Sequence, residues 1–310
     1  MKAADLEVLR MARGAATGKA AAPPPPATEE IPFRSDNAFL CLLLNRRAGL
    51  IRVIDFRAGA IPAKRLFIQS IAKREGVEKV ITLVEKDEVS SWTRVGFVRE
   101  GTIPGFYKRS DGHLCGCVIS DKTASIEVTD DAQRHAERTV NAAKKGAKEL
   151  EEVAKKVATG EVDEVDALTA RDDAWGQDGT LGSFEAFGRE AERTFFQAKM
   201  PRGKANFIQA EYQDCFGHSL VEPLRSPTTD NDVLTLRAGL ETVGEWLKDR
   251  GIISAFGFGP IDDVPLATAY VAAGFRKTGL LAKGVQVGEE RRDAILWTRK
   301  LANPGGDDAD

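Results

Sequence analysis

The feature that most constrains this chain is a repeat. Tyr270-Val271-Ala272-Ala273-Gly274-Phe275 is followed by Arg276, Lys277, Thr278 and Gly279. Upstream, Trp92-Thr93-Arg94-Val95-Gly96-Phe97 is followed by Val98, Arg99, Glu100 and Gly101. Both read aromatic, three residues, Gly-Phe, and a glycine four residues on, at a separation of 178 positions. Each copy predicts a short helix, a glycine stop and a strand. Copies this far apart predict two related domains, because a solenoid repeats every 20–50 residues.

A chain of 310 residues has room for two domains. Its net charge of −3 offers no global attraction for nucleic acid or a membrane surface, and neither partner is expected. No apolar run approaches the ~20 residues that span a bilayer. Residues 1–14 carry basic residues without the apolar centre of a signal peptide. Four cysteines without a small-domain framework point to a reducing compartment, so a cytoplasmic protein is expected. Cys115-Gly116-Cys117 invites a metal, but Leu114, Val118 and Ile119 make the segment a buried strand, and His113, His135 and His218 are scattered. No metal is expected.

In chain order, residues 1–36 read as a flexible Pro/Ala-rich tail, since Pro23 to Pro26 exclude a helix interior. Residues 37–122 read as a first α/β domain, with strands at 39–44, 50–56, 80–84, 97–103 and 114–120 and helices at 63–74 and 89–95. Residues 123–182 read as a helical linker. Its part at 130–159 is one amphipathic helix with an alanine-rich seam at Ala136, Val140, Ala143 and Ala147. That helix is expected either to brace the molecule or to pair two copies in a homodimer; residues 160–182 are expected to be loop with one short helical piece. Residues 183–302 read as a second domain. Ser183, Phe184, Phe187, Ala191, Phe195 and Phe196 predict a capped helix, followed by strands at 206–212 and 218–224. A helix capped by Asp230 or Asn231 runs to Arg250, then a strand at 252–258, a helix at 265–273, and strands at 275–281 and 293–299. Residues 303–310 form a polar tail.

A long helix, a strand, a short helix ending in Gly-Phe and two closing strands resemble the GNAT superfamily of N-acyltransferases. Gly274 to Gly279, Arg292 to Leu301 and, in the first domain, Gly96-Phe97 and Ile103-Pro104-Gly105-Phe106-Tyr107 carry the resemblance. It implies a mixed α/β sheet in two GNAT-like domains, the first incomplete, joined by the helical linker. It also implies acetyl-CoA as cosubstrate, bound where two parallel strands splay, with its pyrophosphate at a helix N-terminus whose loop reads Arg/Gln-x-x-Gly-x-Gly/Ala. The matching loops are Arg57-Ala58-Gly59-Ala60-Ile61-Pro62 and Arg225-Ser226-Pro227-Thr228-Thr229-Asp230. Arg57, Ala60, Arg225, Ser226 and Thr228 would then face the cofactor, although both loops depart from the pattern at their small residues. The family's general acid is a tyrosine four residues before the Gly of Gly-Phe; Tyr270 matches it, and Trp92 holds the place in the first domain. Glu211 is the candidate general base. Two functions follow: an acetyl-CoA-dependent N-acyltransferase acting on an amine through the second domain, or a non-catalytic GNAT-like scaffold that binds a protein partner.

Overall fold

The computed structural model describes residues 25–35, 38–55, 62–120, 125–150, 157–213, 216–288 and 290–302. Thirteen strands form one mixed sheet. They are β1 (Thr28–Ser35), β2 (Ala38–Asn45), β3 (Leu50–Asp55), β4 (Lys79–Val84), β5 (Val98–Ile103), β6 (Gly112–Val118), β7 (Ala158–Val162), β8 (Glu192–Lys199), β9 (Asn206–Tyr212), β10 (His218–Pro223), β11 (Ser254–Pro260), β12 (Arg276–Val287) and β13 (Glu290–Lys300). The helices are α1 (Pro62–Arg74), α2 (Val89–Arg94), α3 (Asp130–Glu149), α4 (Glu164–Ala174), α5 (Asp230–Asp249) and α6 (Val264–Ala272). Across the sheet the order is β1-β2-β3-β4-β6-β5-β12-β13-β11-β10-β9-β8-β7. Read inward from either side, β1-β2-β3-β4-β6-β5 and β8-β9-β10-β11-β13-β12 are the same arrangement.

Pairing registers match between the two sides strand by strand. Leu50 faces Lys79 in a parallel pair as His218 faces Ser254. Lys79 faces Val118 as Ser254 faces Lys300, and Val98 faces Gly116 as Arg276 faces Thr298. The fold is thus two α/β units of the same strand order lying edge to edge, with the long helix α3 between them in sequence.

The units meet where β5 crosses β12, and the pair in register there is Gly101 opposite Gly279. These are the two repeat glycines. A Cβ on Gly279 would stand 2.4 Å from the Glu100 carbonyl oxygen and 2.6 Å from Gly101 Cα, so the backbones approach too closely for any side chain. A buried polar cluster fastens the crossing. Lys79 Nζ donates to Glu100 Oε1 at 2.6 Å, Glu100 Oε2 at 2.8 Å and the Ala282 carbonyl at 2.7 Å. One apolar cluster, including Ile81, Leu83, Phe106, Leu220, Phe256, Leu281 and Leu296, draws on both units.

Local chemistry sets the helix ends. Thr229 rather than Asp230 or Asn231 caps α5, in a reciprocal capping box with Asp232. Asp263 caps α6 by accepting from Leu266 N at 2.9 Å. Gly96 (φ +91°) and Gly274 (φ +82°) stop the two repeated helices in the left-handed region.

Several expectations are corrected. Residues 28–35, read as tail, form β1, which pairs with β2 along its length. The predicted helix over 183–196 is an irregular segment followed by β8. Its phenylalanines mimic helical spacing because β8 is covered on both faces, with Phe195 in one apolar cluster and Phe196 in another. Phe184 sits at φ +52°, which no helix allows. Residues 158–159, expected in the long helix, open β7, and 160–182 hold the end of β7 and all of α4. Residues 151–156 of that predicted helix, residues 1–24 of the tail and the polar tail at 303–310 lie outside the described residues.

Candidate functional site

A parallel pair that stops short leaves a cleft between its strands. β10 and β11 pair at His218, Ser219 and Leu220 and then part, while Val221, Glu222 and Pro223 remain bonded only to β9. In the first unit β3 and β4 part after Val53 faces Thr82. Both units therefore carry the splay implied by the resemblance.

Tyr270 lies beside the second splay. Its hydroxyl is 3.5 Å from the carbonyl of Val221, the first residue past the ladder. The ring is fully buried, stacked on Trp297 at 5.7 Å and edge-on to Phe275 at 5.1 Å. Burial drives the phenol pKa upward, and the nearby Glu222 and Asp263 carboxylates add to the shift. A neutral phenol at the splay has the chemistry of an acid, yet it is walled into the core. A small cavity of about 70 Å³ is lined by Val221 together with Glu222, Phe258, Ser183 and Arg291. Glu222 accepts from Phe184 N at 2.9 Å, and burial pushes its carboxyl up to about 7. The first unit closes this side: Arg291 donates to the Gly49 carbonyl at 2.9 Å in the β2–β3 turn.

The loop at 225–230 borders a hollow of about 570 Å³. Arg225 lines it and donates to Gln177 Oε1 at 3.0 Å. Ser226 spends its backbone N–H on the Gly179 carbonyl at 2.8 Å and its hydroxyl on Asp263 Oδ2. Pro227 has no N–H to give. Thr228 and Thr229 donate their amides to Asp232 Oδ2 at 3.3 and 3.1 Å, and the Thr228 hydroxyl adds a third bond at 2.9 Å. Burial opposes ionisation of Asp232, but these bonds together hold its carboxyl below the ordinary value. The amides of Ser226, Thr228 and Thr229 are thus all taken by acceptors of the chain itself. Helix α3 then lies along α6, with Gly146 against Thr268, and Arg237 of α5 donates to the Leu150 carbonyl at 3.2 Å. Ala136, Val140 and Ala143 of its seam are buried in the α5–α6 core, as an intramolecular brace would require.

Glu211 is buried, and its two oxygens accept from the backbone N–H groups of Phe187 and Gly188. Burial raises its pKa, but its lone pairs serve the 187–188 turn. Trp92 packs against Phe97 at 4.8 Å beneath α1. Arg57 and Ala60 lie outside the described residues. Burial pushes the Cys115 thiol up to about 12, His218 stacks on Phe106 at 3.5 Å, and no metal-holding group of side chains occurs among the described residues.

The counterpart cleft in the first unit is larger, about 630 Å³. Its walls come from both units: Arg52, Asp55, Glu85 and Tyr107 from the first, Arg189 and Phe216 from the second. Sequence reasoning missed it, because its residues are separated by up to 164 positions and no local motif joins Arg52 to Phe216.

No protein-family model and no curated protein matches the chain. Solved structures do. A putative acetyltransferase from Sphaerobacter thermophilus aligns at 16% identity over 47% of this chain and 94% of its own, with a TM-score of 0.36. The ribosomal-protein-S18-alanine N-acetyltransferase of Escherichia coli aligns at 16% over 50% and 99%, TM-score 0.36. A spermidine N-acetyltransferase from Vibrio cholerae, solved with CoA and spermine, aligns at 9% over 48% and 98%, TM-score 0.36. About half of this chain is therefore similar to nearly the whole of each of these acetyltransferase structures.

Proposed function

We propose that the protein is a non-catalytic binding module built on two GNAT-like units, in which the second unit's cofactor loop has become a structural helix cap. The single observation that carries this reading is Asp232, whose Oδ2 accepts from Thr228 N, Thr229 N and the Thr228 hydroxyl. Two unit charges 4 Å apart repel by about 4 kcal/mol at an effective dielectric of 20. That is roughly a thousandfold in affinity for each phosphate charge placed there. A bound phosphate would also have to displace hydrogen bonds to a charged group, each about 1.5–3 kcal/mol. Helix α3, seated on α6 and tied to α5, reinforces the closed state of this unit.

A second reading, acetyl-CoA-dependent transfer to an amine with Tyr270 as acid, is favoured by one observation: the Tyr270 hydroxyl stands at the splay, 3.5 Å from the Val221 carbonyl. Thermal melting with acetyl-CoA separates the two. A ligand present at a hundred times its Kd adds about 2.7 kcal/mol to native stability. The binding-module reading expects no shift of the wild-type protein at millimolar acetyl-CoA. A shift of several degrees, with turnover of an amine slowed by Tyr270→Phe, would establish the enzyme instead.

A further inference from the structure

The open cleft of the first unit has charges of opposite sign at different depths. Arg52 lies toward its inner end. Its Nη1 donates to the Phe187 carbonyl at 2.9 Å and its guanidinium rests 4.4 Å from the Phe187 ring centroid. Its Nε is buried without a hydrogen-bond partner. Burial lowers its pKa, and the nearest compensating charge, Glu211, is committed to backbone amides. A guanidinium with unused donors beside a cavity is suited to a carboxylate, which it grips through two parallel bonds.

Farther along the strands the sign reverses. Glu85, Asp87 and Glu88 follow the end of β4 and line the same cavity. Ser110 Oγ donates to Glu85 Oε1 at 2.6 Å and Glu85 N donates to Glu88 Oε2 at 3.2 Å, which fixes two of the three carboxylates. Burial raises the Glu88 pKa, with Asp87, Asp55 and Glu85 adding repulsion. A bound cation would relieve that repulsion. Asp55 and Arg189 also line the cavity, but they are paired with Lys64 and Glu30. Between the two charged ends lie Tyr107 and Phe216, whose rings stand 6.1 Å apart; the Tyr107 hydroxyl donates to the Leu83 carbonyl at 2.8 Å. Such rings cover methylene groups and attract an ammonium over their faces.

Depth follows from register. Arg52 faces Ile81, and Glu85 is four residues farther along the chain, or about 13 Å at the rise of a strand. That is a backbone separation, of which the Arg52 and Glu85 side chains take up part, and what is left suits a ligand whose charges are held apart by several methylenes. We propose that this cleft binds a small zwitterion of the ω-amino acid class, its carboxylate on Arg52, its chain against Tyr107 and Phe216, and its ammonium among Glu85, Asp87 and Glu88. The site is independent of whether the second unit takes acetyl-CoA.

Calorimetric titration of the full chain tests this with three probes: 5-aminopentanoate, pentylamine and pentanoate. The zwitterion binds at least tenfold more tightly than either singly charged analogue. Arg52→Met lowers it to the level of pentylamine, and Asp87→Asn with Glu88→Gln lowers it to that of pentanoate. Equal affinity for 5-aminopentanoate and pentylamine overturns the proposal, as does a preference that survives Arg52→Met. Should Arg52→Met not fold, the comparison of the three ligands on the wild-type protein decides alone.

Discussion

Removing Lys79 exposes what holds the two units together. Its side chain and that of Glu100 are 0% and 3% exposed, and the ammonium makes three bonds, one of them to the Ala282 carbonyl across the crossing. Lys79→Met keeps most of the volume but strands a carboxylate whose remaining described partner is Ala282 N, at 3.1 Å. Breaking a buried pair from one side costs about 3–5 kcal/mol, since the surviving charge has lost its counterion. At about 2–4 °C per kcal/mol for chains of 150–250 residues, with the lower end apt for a longer chain, Tm falls by roughly 6–10 °C. Lys79→Met/Glu100→Gln recovers at least about 2 kcal/mol, because a neutral amide accepts from Ala282 N and donates to its carbonyl. Acidity supplies a second check. In Lys79→Met the Glu100 carboxyl, already raised by burial, takes up a proton in mild acid and ceases to be a buried charge. The penalty is therefore smaller at pH 5 than at pH 8. Urea unfolding followed by circular dichroism measures all of this. A penalty below 1 kcal/mol, or one equal at both pH values with no recovery in the double variant, would refute the reasoning.

Three further substitutions probe other parts of the frame. Glu222 has a folded pKa raised to about 7 from an ordinary 4.5, so its contribution is fully present below pH 4.5 and is lost as pH rises through 7. At 1.36 kcal/mol per pKa unit this is at most about 3 kcal/mol; Glu222→Gln, which still accepts from Phe184 N, should gain on the wild type by that amount between pH 4.5 and 8 in urea titrations, and a constant difference would contradict it. At the crossing, Gly279→Ala should cost more than Gly101→Ala. The first puts a Cβ 2.4 Å from the Glu100 carbonyl oxygen, whereas the nearest atom to the second is a movable Leu296 methyl at 2.7 Å. About 1–3 kcal/mol is expected for the milder change, read from the same unfolding curves.

Local patterns made the repeated half of the fold readable. Gly96 and Gly274 end their helices as the Gly-Phe signature predicts, and α5, β11, α6, β12 and β13 follow in the order read from hydrophobic periodicity. The Thr229-to-Asp232 spacing was available as a capping signal, yet its consequence for the phosphate loop depends on one carboxylate oxygen reaching two amides. Periodicity misled at 183–196, because a strand buried on both faces loses the alternation that distinguishes it from a helix. β1 was missed because Pro32 and the charges of Glu29, Glu30 and Arg34 suit an edge strand as well as a loop. The first unit's cleft could not be assembled from sequence, since Arg52 and Tyr107 meet Phe216 only where the two units come together.

Duplication lets the two clefts be compared position by position, and the differences explain their sizes. Since Leu50 and His218 hold the same register, Arg52 corresponds to Leu220 and Asp55 to Pro223. Along the repeat itself, Phe106 corresponds to Gly284, just as Gly101 corresponds to Gly279. In the second unit an apolar Leu220 replaces the guanidinium and joins the shared core. Glu222 turns to the Phe184 amide, and the first unit's β2–β3 turn is tied down by Arg291 over what remains, about 70 Å³. In the first unit the same place keeps a charged residue and an opening of about 630 Å³, and the second unit supplies a wall through Phe216. A side chain as costly to bury as arginine survives beside a cavity where an apolar residue would pack more stably. That cost, borne in one copy and removed from the other, is what distinguishes a cleft retained for binding from one filled for stability.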